Sequence, residues 1–129
     1  MKKLILCFLI LLSACQASAL TTLTETDAEK RITAAVNDEI LITLKGNITT
    51  GYSWQFSSKK PSLYHVISED YHEFSHPDGM VGVGGESHYH IKLLKPGTVV
   101  IYARYFRPWE NFNPETDKNL TFTIDVISK

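Results

Sequence analysis

The fold is decided near the end of the chain, where nine residues read Leu120-Thr121-Phe122-Thr123-Ile124-Asp125-Val126-Ile127-Ser128. Leu120, Phe122, Ile124 and Val126 take every second position, and Thr or Asp stands between them. Successive side chains of a strand point to opposite faces, so this alternation predicts a half-buried β-strand. The same period recurs in residues 39–45, 52–57, 87–93 and 98–106.

Two weaker segments, residues 31–36 and 63–74, complete a predicted set of about seven strands. The stretch Asp27–Val36 is also compatible with a short helix, and we favour the strand. Turn-forming pairs such as Pro96-Gly97 separate the strands. Short strands at regular spacing predict an all-β protein, an antiparallel β-sandwich. Since no cysteine follows Cys15, we expect no disulfide in it.

The amino-terminal residues 1–19 have the pattern of an export signal. Lys2 and Lys3 precede an apolar run, Leu4–Leu12, which is too short to span a bilayer, and small residues follow. Cleavage after Ala19 fits an ordinary signal, whereas Leu12-Ser13-Ala14-Cys15 resembles a bacterial lipoprotein box with Cys15 as the lipidated residue. We favour the lipoprotein and expect an exported protein, periplasmic or anchored to the outer membrane, and otherwise secreted. Residues 20–30 are predicted to be a polar tether, and residues 31–129 a single domain.

Charge and composition exclude several classes of function. The chain has 13 basic and 14 acidic side chains among its 129 residues, so it lacks the positive field that nucleic acid requires. No nucleophile stands in a Gly-x-Ser-x-Gly turn, and no thiol follows Cys15. We therefore expect no enzyme and no cofactor.

The loops, rather than the strands, carry the unusual residues. If successive strands run up and down, three connections share one end: a first loop at residues 46–51, a second at 76–86 and a third at 107–119. These hold six of the seven glycines and Trp109. Loops on a rigid scaffold are a common site of binding, so this end is the candidate functional surface.

Each loop also has a purely structural interpretation. The glycines of the first loop serve any turn. The second loop resembles a phosphate-binding loop, but a strand follows it and no Lys-Ser/Thr does, which argues against that function. Trp109 is equally compatible with packing onto the core or with a binding anchor.

Three motifs in these loops together resemble the chagasin family of cysteine peptidase inhibitors. They are Asn47-Ile48-Thr49-Thr50-Gly51-Tyr52, Gly82-Val83-Gly84-Gly85 and Arg107-Pro108-Trp109. Their order and spacing agree with the family over about residues 31–128. The resemblance implies an immunoglobulin-like sandwich without the inter-sheet disulfide. One departure is Ile48, which replaces the proline of the family motif, and a more flexible first loop would weaken binding.

The resemblance also implies a mechanism, in which all three motifs contact a papain-like cysteine protease. The first loop enters the active-site cleft and places Thr49 beside the catalytic Cys and His. Trp109 covers an apolar surface on one side, Arg107 holds its loop or meets a carboxylate, and the glycine-rich loop contacts the other side through its backbone. Inhibition would be reversible and competitive, and we expect the inhibitor to be a monomer.

Two other interpretations remain open. His88 and His90 share a predicted strand face, with His72 and His76 near in sequence, so a copper or zinc site is conceivable. We expect exposed histidines and no metal instead. The alternative function is a cell-surface adhesion or sugar-binding module, in which Trp109, Tyr105 and Phe112 stack on sugar rings.

Overall fold

The alternating stretches form two four-stranded sheets that pack face to face. A computed structural model describes residues 18–128. Most of the predicted export signal, including Cys15, lies outside these residues. The strands are β1 (Leu20–Leu23), β2 (Arg31–Ala35), β3 (Glu39–Gly46), β4 (Ser53–Ser58), β5 (Tyr64–Glu73), β6 (Gly85–Leu93), β7 (Gly97–Phe106) and β8 (Lys118–Ile127).

One sheet has the strand order β1-β3-β6-β5, and the other has the order β2-β8-β7-β4. Most neighbouring strands are antiparallel, but β1 pairs with β3 and β2 pairs with β8 in parallel. Three short 3-10 turns lie at Glu25–Asp27, Ile48–Thr50 and Pro61–Leu63, and residues 18–128 contain no α-helix. The prediction of an all-β sandwich is confirmed, as is the strand rather than the helix at residues 31–35. Nothing between residues 18 and 128 forms a helix long and apolar enough to cross a bilayer.

The predicted tether is wrong for its first part, because residues 20–23 form an eighth strand. β1 lies at the edge of its sheet, and its Leu23 is buried against the core while the three preceding residues are exposed. A Thr24–Asp27 capping box then turns the chain toward β2. Four residues with one buried side chain carry too little periodicity to be read as a strand.

The core lies between the sheets and consists of the inward side chains of the alternating stretches. It includes Ile40, Ile42, Leu44, Ile91, Leu93, Val99, Ile101, Phe122 and Ile124, all completely buried. Burying one such side chain contributes about 1.5–3 kcal/mol relative to leaving it exposed. Hydrophobic burial on this scale explains how residues 18–128 are held without a disulfide.

Strand β2 is fastened to β8 by an ion pair on the outer face of its sheet. Arg31 donates to both carboxylate oxygens of Asp125, at 2.7 Å and 3.0 Å, and the Thr98 hydroxyl donates to the same carboxylate. The hydrogen bonds from Arg31 lower the pKa of Asp125 below its ordinary value. Such a bidentate pair fixes the register of a short edge strand.

Candidate functional site

The three long loops meet at one end of the sandwich, as the strand directions require. β3, β5 and β7 run toward this end, and β4, β6 and β8 run away from it. The observed loops are residues 47–52, 74–84 and 107–117, which are the first, second and third loops of the sequence analysis. Hydrogen bonds and van der Waals contacts connect the first loop to each of the other two.

Asn47 is the residue that organises the first loop. Its side-chain oxygen accepts the Thr49 N–H at 3.0 Å and the Thr49 hydroxyl proton. Its side-chain nitrogen donates to the carbonyl of Gly82 in the second loop at 2.9 Å. One side chain therefore caps the 3-10 turn at Ile48–Thr50 and fastens two loops together.

Threonine hydroxyls complete the first loop from within. The Thr50 hydroxyl donates to the Asn47 carbonyl at 2.7 Å and accepts the Tyr52 N–H at 3.3 Å. These bonds hold in one conformation a loop that the loss of the family proline was expected to loosen. Ile48, which stands in place of that proline, is 47% exposed at the first position of the turn.

The third loop rests against Gly51. This residue has φ +87°, and a Cβ added to it would lie 2.7 Å from Cη2 of Trp109 and 3.3 Å from Nε of Arg107. Glycine is thus required twice, by the left-handed backbone and by the contact with the indole. Trp109 is nevertheless 72% exposed, so it does not pack onto the core, and its role as a binding anchor stays a prediction.

Arg107 holds the third loop to the first. Its Nε donates to the Thr50 carbonyl at 3.2 Å, and its guanidinium lies 4.7 Å from the centre of the Tyr52 ring. Cation–π contacts of this kind contribute about 0.5–1 kcal/mol at exposed positions. Both contacts connect residues of the same chain, and Arg107 Nη1 also lies 4.0 Å from the Glu110 carboxylate, so within this chain Arg107 positions the loops.

An aromatic column beneath the loops supports them, a role that the sequence analysis did not predict for these residues. Tyr105 lies between Tyr52 and Trp54, with ring centres 5.4 Å and 4.9 Å away. The Tyr105 hydroxyl accepts the Asn47 N–H at 3.0 Å, and the Trp54 indole donates to the Lys45 carbonyl at 3.0 Å. The sequence feature that could have predicted this support is a tyrosine at an inward position of a strand, next to a loop.

The glycine-rich motif divides into exposed and buried parts. Gly82 is exposed, and Gly84 lies beside β3, where a Cβ would approach the Gly46 carbonyl to 3.3 Å. Gly85 is buried in β6, and a Cβ there would lie 2.3 Å from the His72 carbonyl. Gly85 therefore serves the packing of the β5–β6 hairpin, and its predicted protease contact is revised on this ground.

Exposed apolar side chains continue the surface beyond the three motifs. Phe74, Met80 and Val81 belong to the second loop and are 43%, 55% and 91% exposed. Together with Ile48 of the first loop and Trp109 of the third, they give each of the three loops at least one exposed apolar side chain. No motif of the sequence analysis contained Phe74, Met80 or Val81.

A cleft of about 210 Å³ opens below Ile48, between the edge strands β4 and β5. Trp54, Phe56 and Glu69 are among its lining residues. Burial raises the pKa of the Glu69 carboxyl above its ordinary value.

The aromatic residues considered for sugar binding have separate surroundings. Tyr105 belongs to the column under the first loop, whereas Phe112 packs edge-on against Phe106 and under Arg104. Trp109 lies instead against Gly51. The three rings do not form the stacking platform that the alternative function requires.

The fold and these loops define a binding module: a β-sandwich that presents three mutually supported loops at one end. Residues 33–126 match the family described as chagasin family peptidase inhibitor I42. Over 120 residues the chain is 34% identical to amoebiasin-2 of Entamoeba histolytica, covering 92% of this chain and 95% of that protein. The chain belongs to the chagasin family of peptidase inhibitors, and it is an inhibitor rather than an enzyme.

Two further similarities agree with this membership. The chain is 29% identical to chagasin of Trypanosoma cruzi over 99 residues, which are 72% of this chain and 84% of that protein. The crystal structure of EhICP2, a cysteine protease inhibitor from Entamoeba histolytica, superposes with a TM-score of 0.75 at 29% identity. That superposition covers 88% of this chain and all of the other.

Proposed function

We propose that this protein is a reversible, competitive inhibitor of papain-like cysteine proteases, which it blocks by filling the active-site cleft with its three loops. The observation that carries the proposal is the convergence of the three motifs, with Trp109 exposed beside the hydrogen-bonded first loop. The similarity to EhICP2, a cysteine protease inhibitor, supports the same class of target. The inhibitor acts as a monomer.

The first loop enters the centre of the cleft and meets the catalytic pair. The Thr49 hydroxyl donates its hydrogen bond to the side-chain oxygen of Asn47, so its lone pairs remain to accept a further hydrogen bond. Papain-like proteases hold their Cys as a thiolate beside a protonated His, which is a donor. Thr49 therefore accepts from that imidazolium, and the loop offers no carbonyl placed for attack by the thiolate.

The other two loops bind the flanks of the cleft. Trp109 covers an apolar surface on one side, held there by its contact with Gly51. On the other side the exposed backbone of Gly82 approaches closely, because no side chain intervenes, and Met80 and Val81 widen the contact. Protease–inhibitor interfaces typically bury about 800 Å² per partner, an area that three loops can supply.

The test is the inhibition of papain by Trp109→Ala. Truncating a central aromatic anchor costs on the order of 2 kcal/mol, so the inhibition constant rises roughly thirtyfold. Leu94→Ala is the matched control, because Leu94 is also exposed but follows β6 at the opposite end of the sandwich. Its inhibition constant stays at the wild-type value. An unchanged constant for folded Trp109→Ala would contradict the proposed binding mode.

The protein is exported and attached to a membrane through lipid on Cys15. The charged, apolar and small-residue pattern of residues 1–19 supports this part of the proposal. Metabolic labelling with a radioactive fatty acid tests it: Cys15→Ala loses the label, whereas Cys7→Ala, the other cysteine of the chain, keeps it. Equal labelling of the two variants, or none in the wild type, would refute lipidation at Cys15.

A further inference from the structure

Two imidazoles and a carboxylate lie close together on the outer face of the β1-β3-β6-β5 sheet. Asp70 and His72 stand on β5, and His88 stands on β6 directly opposite Asp70. His72 Nε2 lies 3.0 Å from Asp70 Oδ1, and His88 Nδ1 lies 3.8 Å from the same oxygen. The two rings are 4.6 Å apart between centres.

These distances suit three ligands of one divalent metal ion. One ligand atom from each residue lies within 4.8 Å of the other two. Zn²⁺ binds nitrogen and oxygen at about 2.0–2.2 Å, which places neighbouring ligands of a tetrahedral site about 3.3 Å apart. The distances to Asp70, 3.0 Å and 3.8 Å, fall on either side of that value. Zn²⁺ binding would displace the proton between His72 Nε2 and Asp70 Oδ1, and side-chain rotations would bring the three ligand atoms, now within 4.8 Å of one another, to the tetrahedral distance.

A carboxylate on the far side of His88 is a second, independent indication. Glu86 Oε1 lies 3.0 Å from His88 Nε2 and can accept a hydrogen bond from it. In that tautomer the other nitrogen, Nδ1, which faces Asp70, keeps its lone pair for a metal ion. Metal-binding histidines are oriented by this arrangement, with a carboxylate accepting from the nitrogen that does not bind the metal.

The cluster is also accessible to an ion from solution. The side chains of His72 and Asp70 are 61% and 49% exposed, so entry needs no opening of the sandwich. Two histidines and one aspartate leave a fourth position for water, which is the usual composition of an open Zn²⁺ site.

We propose that Asp70, His72 and His88 form a Zn²⁺ site that links β5 to β6 below the second loop. This reverses the sequence-based expectation of no metal, and it replaces the pair first considered, because His90 is bonded to Glu39 instead. The bound ion holds together the two strands from which the glycine-rich loop emerges. The proposal is independent of the protease target.

Calorimetric titration with ZnCl₂ tests the site, using protein without a polyhistidine tag and freed of metal by chelation. The wild type binds one Zn²⁺ saturably, and Zn²⁺ raises its melting temperature. His72→Asn and His88→Asn each lower the Zn²⁺ affinity by at least tenfold. The exposure of His72 ensures that its variant folds, which urea unfolding without metal verifies.

His90→Asn is the matched control. His90 lies on the same face of the same strand as His88, its side chain is equally exposed at 24%, and it also pairs with a carboxylate. Its variant keeps wild-type affinity for Zn²⁺. The proposal is overturned if His90→Asn loses as much affinity as His88→Asn, if His72→Asn binds normally, or if the wild type fails to saturate at millimolar Zn²⁺.

Discussion

Replacing Gly51 by alanine perturbs the contact between the first and third loops with the fewest added atoms. The new Cβ would lie 2.7 Å from Cη2 and 3.1 Å from Cζ2 of Trp109, where ordinary carbon contacts are about 3.5–4.0 Å. The indole must therefore withdraw by about 1 Å. It is free to do so because it is exposed, and the core is not involved.

The expected size of the effect has two parts. A left-handed φ of +87° costs an alanine about 1–2 kcal/mol, which lowers the free energy of unfolding. Displacement of the indole removes part of the roughly 2 kcal/mol assigned to a central aromatic anchor. We expect the inhibition constant for papain to rise between about fivefold and thirtyfold, while the variant stays folded.

Gly79→Ala separates the two parts. Gly79 has almost the same φ, +84°, but nothing lies within 4 Å of an added Cβ. The Gly79→Ala variant therefore has the energetic cost of the left-handed backbone but no close contact of the new Cβ, so its inhibition constant changes little. Papain activity on a fluorogenic peptide gives both constants, and urea unfolding gives both stabilities. If Gly51→Ala inhibits as tightly as the wild type, or no worse than Gly79→Ala, the loop contact has no part in binding.

Three further variants test the support of the loops and the sheet. Ile48→Pro restores a residue suited to the first position of a turn, and Asn47 at ψ 98° is already extended. We expect about 0.4–1 kcal/mol of added stability and tighter inhibition, and a destabilised variant would contradict this. Tyr105→Phe leaves the Asn47 N–H without its acceptor, which costs about 0.5–1.5 kcal/mol in urea unfolding and weakens inhibition; unaltered values would show that the column is dispensable. The pKa of Asp125 is lowered in the folded protein. Its ionised carboxylate therefore contributes to the free energy of unfolding above the ordinary aspartate pKa, and this contribution is lost as the pH falls through the pKa of the folded state. We therefore expect the free energy of unfolding of Asp125→Asn to fall less steeply with decreasing pH than that of the wild type. Parallel pH profiles of the two proteins would contradict this role of Asp125.

Much of the fold was predictable because a strand with one buried face has an apolar residue at every second position of its sequence. Residues 39–45, 87–93, 98–106 and 120–127 have an apolar residue at every second position, and each of these stretches lies within a strand. β1 was missed because it is a short edge strand held by parallel pairing to β3, and that pairing depends on a partner distant in sequence.

The site was predictable in position but not in detail. Because successive strands run in opposite directions, the three loops lie at the same end of the sandwich, and the motifs identify residues in these loops. The hydrogen bonds of the Thr49 and Thr50 hydroxyls to Asn47, the acceptor role of Tyr105 and the burial of Gly85 follow from three-dimensional contacts. A sequence pattern records residue types, whereas these roles depend on which backbone groups lie within reach.

The direction of β1 determines which way an anchored inhibitor faces. Its first residue, Leu20, pairs with Glu39 at the end of the sandwich opposite the loops, and the chain then runs toward them. Cys15 precedes Ala19 by four residues, a span of at most about 14 Å. If Cys15 carries the proposed lipid, the base of the sandwich would lie nearest the bilayer, and Trp109 and the three loops would be at the far end, accessible to a protease.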